Sequence, residues 1–158
     1  MDDAQPKETL FQQYAALPYR VRDGELQILL VTSRQTHRWI IPKGWPKKGM
    51  KGPDVAASEA FEEAGLVGTV ARKKIASFDY VKRIDAVQKK LCTVDVYPLA
   101  VEQILDEWPE KGQRQREWMT PGQAAMRVTE AGLIQLMLDL TDFGEAPDKP
   151  ALPRKIRL

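Results

Sequence analysis

Apolar positions along this chain repeat with two periods, and the points where the period changes mark the elements. Leu26 and residues 28–31 form a run too continuous for a half-exposed strand, which predicts a central, buried strand over residues 25–33. Asp23-Gly24 separates it from a shorter stretch at 19–22, and this dipeptide readily takes the two positive φ values of a tight hairpin. Residues 39–41 form a short strand ended by Pro42, and 43–52, with three glycines and a proline, read as loop. Gly52-Pro53 then opens a helix, with proline in the first turn and Asp54 suited to the helix dipole, and Gly65 closes it. Val55, Ala56 and Ala60 are its candidate sheet-facing side.

Residues 70–80 and 91–101 read as two further strands joined by a polar turn at 83–90, and 106–112 as a linker ahead of 116–119. Thr120-Pro121 has the form of a cap followed by a first-turn proline, and Leu133, Leu136, Met137 and Leu140 fall at helical spacing, so 124–140 should hold one or two helices. Strands, helix, strands, helix is the order of an α/β protein with a mixed sheet between helices. There is no internal repeat. Residues 143–158, with three prolines and a basic end, are expected to be an extended tail.

The 158 residues, 43% of them hydrophobic, suffice for one domain with a substantial core and not for two. The 24 basic and 22 acidic residues leave a net charge of +2, so general nucleic-acid binding is not implied, and only local segregation of charge is informative. That segregation is pronounced. Arg34, Arg38, Lys43, Lys47, Lys48 and Lys51 occur between residues 34 and 51 without one acid, and residues 52–70 then contain no Lys or Arg. Within the second stretch Glu59, Glu62 and Glu63 lie at i, i+3 and i+4, which stacks three carboxylates on one helix face. Like charges so spaced destabilise a helix by roughly 0.2 to 0.5 kcal/mol per pair. An anionic ridge without local counter-charge, after a cationic loop, suits a divalent cation bridging carboxylates to substrate phosphates.

The single Cys92 alternates with Val94 and Val96 and reads as a small core residue, with no disulfide or thiolate metal site available from one thiol. His37 is the only histidine, so neither a histidine metal site nor a Ser-His-Asp triad is supported; it reads as a surface or hairpin residue. Trp39 and Trp118 are assigned to the core, while Trp45 is suited either to stacking on a base or to packing under its loop. Glu117 reads as a strand-end salt-bridge partner. No stretch of about 18 apolar residues occurs, and a soluble cytoplasmic protein without membrane partners is expected.

The order Gly44, loop, Ser58-Glu59-Ala60-Phe61-Glu62-Glu63-Ala64-Gly65-Leu66 resembles the signature box of the Nudix hydrolases: glycine, five residues, Glu, seven residues, then Arg-Glu-aliphatic-x-Glu-Glu-x-Gly-aliphatic. The spacing from Gly44 to Gly65 is kept without insertion or deletion. Met50 stands at the place of the first Glu and Ser58 at the place of the Arg. Arg38-Trp39-Ile40-Ile41-Pro42-Lys43-Gly44 and Arg116-Glu117-Trp118 are similar to segments of the branch that hydrolyses diphosphoinositol polyphosphates and dinucleoside polyphosphates.

The resemblance covers residues 15–140, between an N-terminal extension at 1–14 and a tail at 141–158. It implies a Nudix-type α/β/α sandwich with a mixed β-sheet, and a Mg²⁺-dependent pyrophosphohydrolase, with Mn²⁺ the other suitable ion, acting on a small phosphoanhydride compound. It implies Glu59, Glu62 and Glu63 as metal-binding and catalytic residues. Glu63 is the firmest ligand, and Glu59 and Glu62 bind directly, bridge through water or deprotonate the attacking water. The phosphates fall to Arg34, Arg38, Lys43, Gly44, Lys47 and Lys48. The rival expectation, carried by Ser58 and Met50, is a catalytically weak Nudix-fold binding or regulatory domain.

Overall fold

Asp23 and Gly24 adopt φ of 54° and 77° and turn β1 (Leu10–Arg22) into β2 (Glu25–Thr32), as the dipeptide predicts. The computed structural model describes residues 10–141. Its order continues through β3 (Trp39–Ile40), β4 (Lys43–Gly44), α1 (Gly52–Ala64), β5 (Leu66–Val70), β6 (Ala76–Arg83), β7 (Lys89–Ile104), a 3₁₀ turn (Lys111–Gln113), β8 (Arg116–Met119), α2 (Pro121–Arg127) and α3 (Ala131–Thr141).

The sheet runs β3-β2-β1-β7-β5, with β4 beside β1, β6 beside β7 and β8 beside β2. It is mixed: β1 and β7 are parallel from Leu10↔Leu91 to Tyr19↔Ala100, and the other pairs are antiparallel. Residues 10–14, which the sequence reading sets ahead of the domain, thus lie within the sheet. The expected tail at 143–158 falls outside the described residues.

Strand alternation separates two cores. Ala15, Leu17, Ile28, Leu30, Cys92, Val94 and Val96 face α2 and α3, which contribute Ala124, Leu133, Leu136, Met137 and Leu140. Ala16, Leu29, Val31, Tyr97 and Leu99 face α1, which contributes Ala56, Ala60 and Ala64. The three alanines recur every four residues, so one small-residue stripe lets α1 lie close on the sheet. Cys92, Val94 and Val96 are fully buried, as their alternation predicts.

Three expectations are corrected. Residues 70–80 are not one strand: β5 ends at Val70 and β6 starts at Ala76, because they pair with opposite halves of the long β7. The consecutive charges Arg72-Lys73-Lys74 break the alternation there. Residues 43–52 are not loop throughout, since Lys43-Gly44 pairs with Ala15 and Tyr14 as β4. Residues 106–112 are not a bare linker. Trp108 Nε1 donates to the Glu63 carbonyl (3.0 Å) and the Glu110 N–H to the Glu62 carbonyl (3.1 Å), so this segment clamps the end of α1.

Candidate active site at the carboxylate face of α1

The local rules that build α1 also place its carboxylates. Lys51 precedes the helix in extended conformation, Pro53 occupies the first turn, and Gly65 ends it in the left-handed region with φ of 66°. A helix end leaves carbonyls without partners, and the last turn of α1 contains no basic residue. Other elements supply the donors. Arg116 Nη1 donates to the Ala64 carbonyl and Nη2 to the Leu105 carbonyl, both at 2.7 Å, while its guanidinium stacks 3.9 Å above the Trp108 ring. With the Trp108 and Glu110 bonds, the carbonyls of Glu62, Glu63 and Ala64 are all satisfied, which fixes the turn that presents the glutamates.

Glu59 and Glu63 are buried, 8% and 4% exposed, whereas half the Glu62 side chain meets solvent. Gly44 is the close neighbour: a Cβ there would fall on the Glu59 carboxyl group, so only glycine permits β4 to approach the helix. One Glu63 carboxylate oxygen, Oε1, is buried without a hydrogen-bond partner. Its nearest recorded cation is Arg114 Nη1 at 3.8 Å, a guanidinium already bonded to the Glu110 carboxylate (2.8 Å) and the Thr32 carbonyl (2.9 Å). Burial pushes the Glu63 carboxyl well above the ordinary carboxylate range; Arg114 opposes that, and Glu59 adds to it. Lys43 responds in the opposite sense. Burial lowers its ammonium, which sits 5.2 Å over the Tyr80 ring, and Glu63 pulls it back up.

Counter-charges absent from residues 52–70 therefore arrive from elsewhere. Lys47 Nζ lies 3.1 Å from Glu59 and 3.5 Å from Glu62, and Arg72 makes two bonds to Asp54 at 2.7 and 3.1 Å. For Lys47, burial works against the charge, but Glu59 and Glu62 outweigh it and hold the ammonium above its usual value.

The basic candidates disperse. Gly44 and Lys47 border the glutamates, Lys43 turns to Tyr80 and feels Glu63 only through its charge, and Lys48 is exposed on the loop beyond. Arg34 lies at the rim, contacting Gln113 and Glu110. Arg38 turns to Thr36 and Glu130, and none of these contacts brings it to the carboxylates. Trp45, 38% exposed, packs edge-on against Phe11 under Lys90. Trp39 and Trp118 are half-buried against the two cores, His37 is exposed at a turn with φ of 52°, and Glu117 meets Arg127 at 4.0 Å. Glu110 and Trp108 are the site residues that sequence reasoning passes over, because each reaches the end of α1 only through the tertiary fold.

Among the described residues no three His, Cys, Asp or Glu side chains are gathered into a cage for a metal. The residues nonetheless suit a hard divalent cation. An orphaned carboxylate oxygen, a second buried carboxylate beside it and the carboxyl of Glu62 one turn away make an all-oxygen donor set. No helix among the described residues is long and apolar enough to cross a membrane.

Comparison with known proteins points one way. Nudix hydrolase 18, mitochondrial, of Arabidopsis thaliana is 30% identical over 120 residues, covering 72% of this chain and 66% of the relative. Diphosphoinositol polyphosphate phosphohydrolase 3-beta of Bos taurus is 30% identical over 106 residues, covering 66% and 60%. The chain spans between half and two thirds of the length of the curated relatives it matches first. Among solved structures, a NUDIX hydrolase from Nitrosomonas europaea superposes with a TM-score of 0.67 at 13% identity, over 89% of this chain and 94% of the other. An Ap4A hydrolase of C. elegans superposes at 0.58 and 17% identity, over 84% and 98%. No family model matches the chain.

Proposed function

The chain belongs to the Nudix hydrolases, and from that premise we propose that it is a Mg²⁺-dependent pyrophosphohydrolase of a polyphosphate-rich small molecule, a diphosphoinositol polyphosphate or a dinucleoside polyphosphate. The observation that carries this reading is the buried Glu63 carboxylate oxygen with no hydrogen-bond partner, its nearest recorded counter-charge Arg114 at 3.8 Å, beside the Glu59 that Gly44 lies against. Burying a polar oxygen without a hydrogen bond costs on the order of 1 to 3 kcal/mol, a cost that a function explains and packing does not.

Glu63, Glu59 and Glu62 are the residues that would hold the ion, with Mn²⁺ an acceptable substitute. A hard cation there supplies charge neutralisation on phosphate oxygens and lowers the pKa of a bound water. This chain's own groups do the rest. Arg114 keeps positive charge beside Glu63, Lys43 acts on it from longer range, Lys48 and Arg34 offer charge at the rim, and the Gly44 backbone lets the β4 edge approach closely. Of the three glutamates, Glu59 and Glu62 are the acceptors available for the proton of an attacking water.

A polyphosphate substrate suits the cluster of lysines at 43–51, and the diphosphoinositol and Ap4A names of the relatives agree with that class. A second reading, a Nudix-fold domain that binds without turnover, is favoured by Met50, 39% exposed where the family box has a glutamate.

The test is release of phosphate or mononucleotide from diadenosine tetraphosphate and diphosphoinositol polyphosphates with Mg²⁺, repeated with Glu63→Gln. A kcat lower by about a hundredfold is expected, as for loss of one strong electrostatic contact to the transition state. Equal rates for the two proteins remove the assignment, and binding without turnover in the wild type selects the second reading.

A further inference from the structure

Ser58 precedes Glu59 by one residue and Glu62 by one helical turn, so the helix itself carries no cation for that pair of carboxylates. The loop provides one. Lys47 Nζ lies 2.8 Å from Ser58 Oγ, 3.1 Å from Glu59 Oε1 and 3.5 Å from Glu62 Oε1. A single ammonium thus touches three side chains spread over successive turns, and it engages one oxygen of each carboxylate.

The reach of this lysine is set by its backbone. The Met50 N–H donates to the Lys47 carbonyl at 3.0 Å, closing a turn in which Gly49 takes φ of 77°, a value that favours glycine. The Lys47 side chain is 30% exposed and Glu59 only 11%, so the contact is sheltered compared with an ordinary surface pair.

Resting on the hydrolase reading, we infer that Lys47 is a positioning residue: its ammonium holds the carboxylates of Glu59 and Glu62 in register with Glu63, a task that a cationic side chain at position 58 would otherwise perform from the helix. Its Ser58 contact anchors the ammonium between the two glutamates and away from bulk solvent. Displacing a reacting group by about 1 Å costs on the order of a hundredfold in rate, so a brace of this kind acts on turnover more than on substrate affinity.

Three proteins besides the wild type test it: Lys47→Met, Lys47→Arg, and Lys47→Met combined with Ser58→Arg. With Mg²⁺ and diadenosine tetraphosphate, Lys47→Met should lower kcat about tenfold while KM stays within about twofold. Arginine at 58 stands four residues before Glu62, the spacing at which helix side chains meet, and should recover most of the lost kcat. Unchanged kcat, or a rise in KM alone, overturns the inference; the second outcome makes Lys47 a phosphate contact. If the double variant does not fold, Lys47→Arg must retain at least fivefold more kcat than Lys47→Met, and equal losses overturn the brace.

A readout without metal or substrate accompanies these. Urea midpoints of Lys47→Met, Glu59→Gln and their combination should be non-additive, and additive shifts overturn the inference whatever the activity. A wild type that hydrolyses nothing on the panel defeats the hydrolase reading alone, because the urea cycle still decides whether Lys47 braces Glu59.

Discussion

Helix α1 carries two acid–arginine pairs that resemble each other only in composition. Near its start Asp54 meets Arg72 through two short bonds at about half exposure of both side chains, and the Arg72 hydrogen bond holds the Asp54 carboxyl below its usual range. Near its end Glu63 faces Arg114 at 3.8 Å with 6% and 8% exposure, one oxygen unpartnered, and its carboxyl is pushed the other way by burial. Solvent lets the first pair form good geometry without consequence, whereas the fold holds the second in a desolvated, incompletely paired state. The lesson is that strain in polar pairing, not the presence of charge, separates a working carboxylate from a decorative one.

The largest expected contrast is catalytic. Glu63→Gln should cost about a hundredfold in kcat, while Asp54→Asn should leave kcat unchanged within error in the same assay. Next is stability at the buried pair. Arg114→Met removes charge-assisted bonds to Glu110 and Thr32, and should lower the unfolding free energy by about 2 kcal/mol in urea titrations at neutral pH.

The two pairs also differ in the sign of their pH dependence. A raised Glu63 pKa means that the folded state holds a proton the unfolded chain has released, so folding loses stability as pH climbs from the ordinary carboxylate range toward the raised value. Without metal, Glu63→Gln should therefore stabilise by about 1.5 kcal/mol at pH 8 and not at pH 4, read from urea midpoints at both values. Asp54 is depressed instead. Its contribution is present above the unfolded pKa and fades as pH falls through the folded one, and for so exposed a pair the smallest effect is expected, a shift in the Asp54→Asn midpoint within experimental error.

Which parts of this arrangement were readable in the chain follows from the range of the forces involved. Asp23-Gly24, Gly65 and the Thr120 cap act within four residues and were legible, and the structure extends that cap to a box in which the Gln123 N–H donates to Thr120 and the Gln123 side chain accepts from the Thr120 N–H. So was the ridge of Glu59, Glu62 and Glu63, because helical period alone sets it. The supply of counter-charge was not. Lys47, Arg72 and Arg114 reach α1 from a loop, a turn between strands and the approach to β8, and no local pattern records which cation meets which acid. The same limit hid β4, whose two residues are a strand only because β1 lies beside them, and the clamp by Trp108 and Arg116 on the end of α1.

The parallel register of β1 with β7, Leu10 against Leu91, has a kinetic consequence. The first strand has to wait for one made far later in the chain, so a large loop closes before the ladder returns any free energy. A nascent chain that has not yet exposed residues 89–104 lacks the partner that runs alongside nearly all of β1, so the sheet stays incomplete until β7 is available. Maturation of the carboxylate face should then be slow relative to formation of α1, which stopped-flow fluorescence of a variant keeping Trp108 as its sole tryptophan would time against helix formation by circular dichroism.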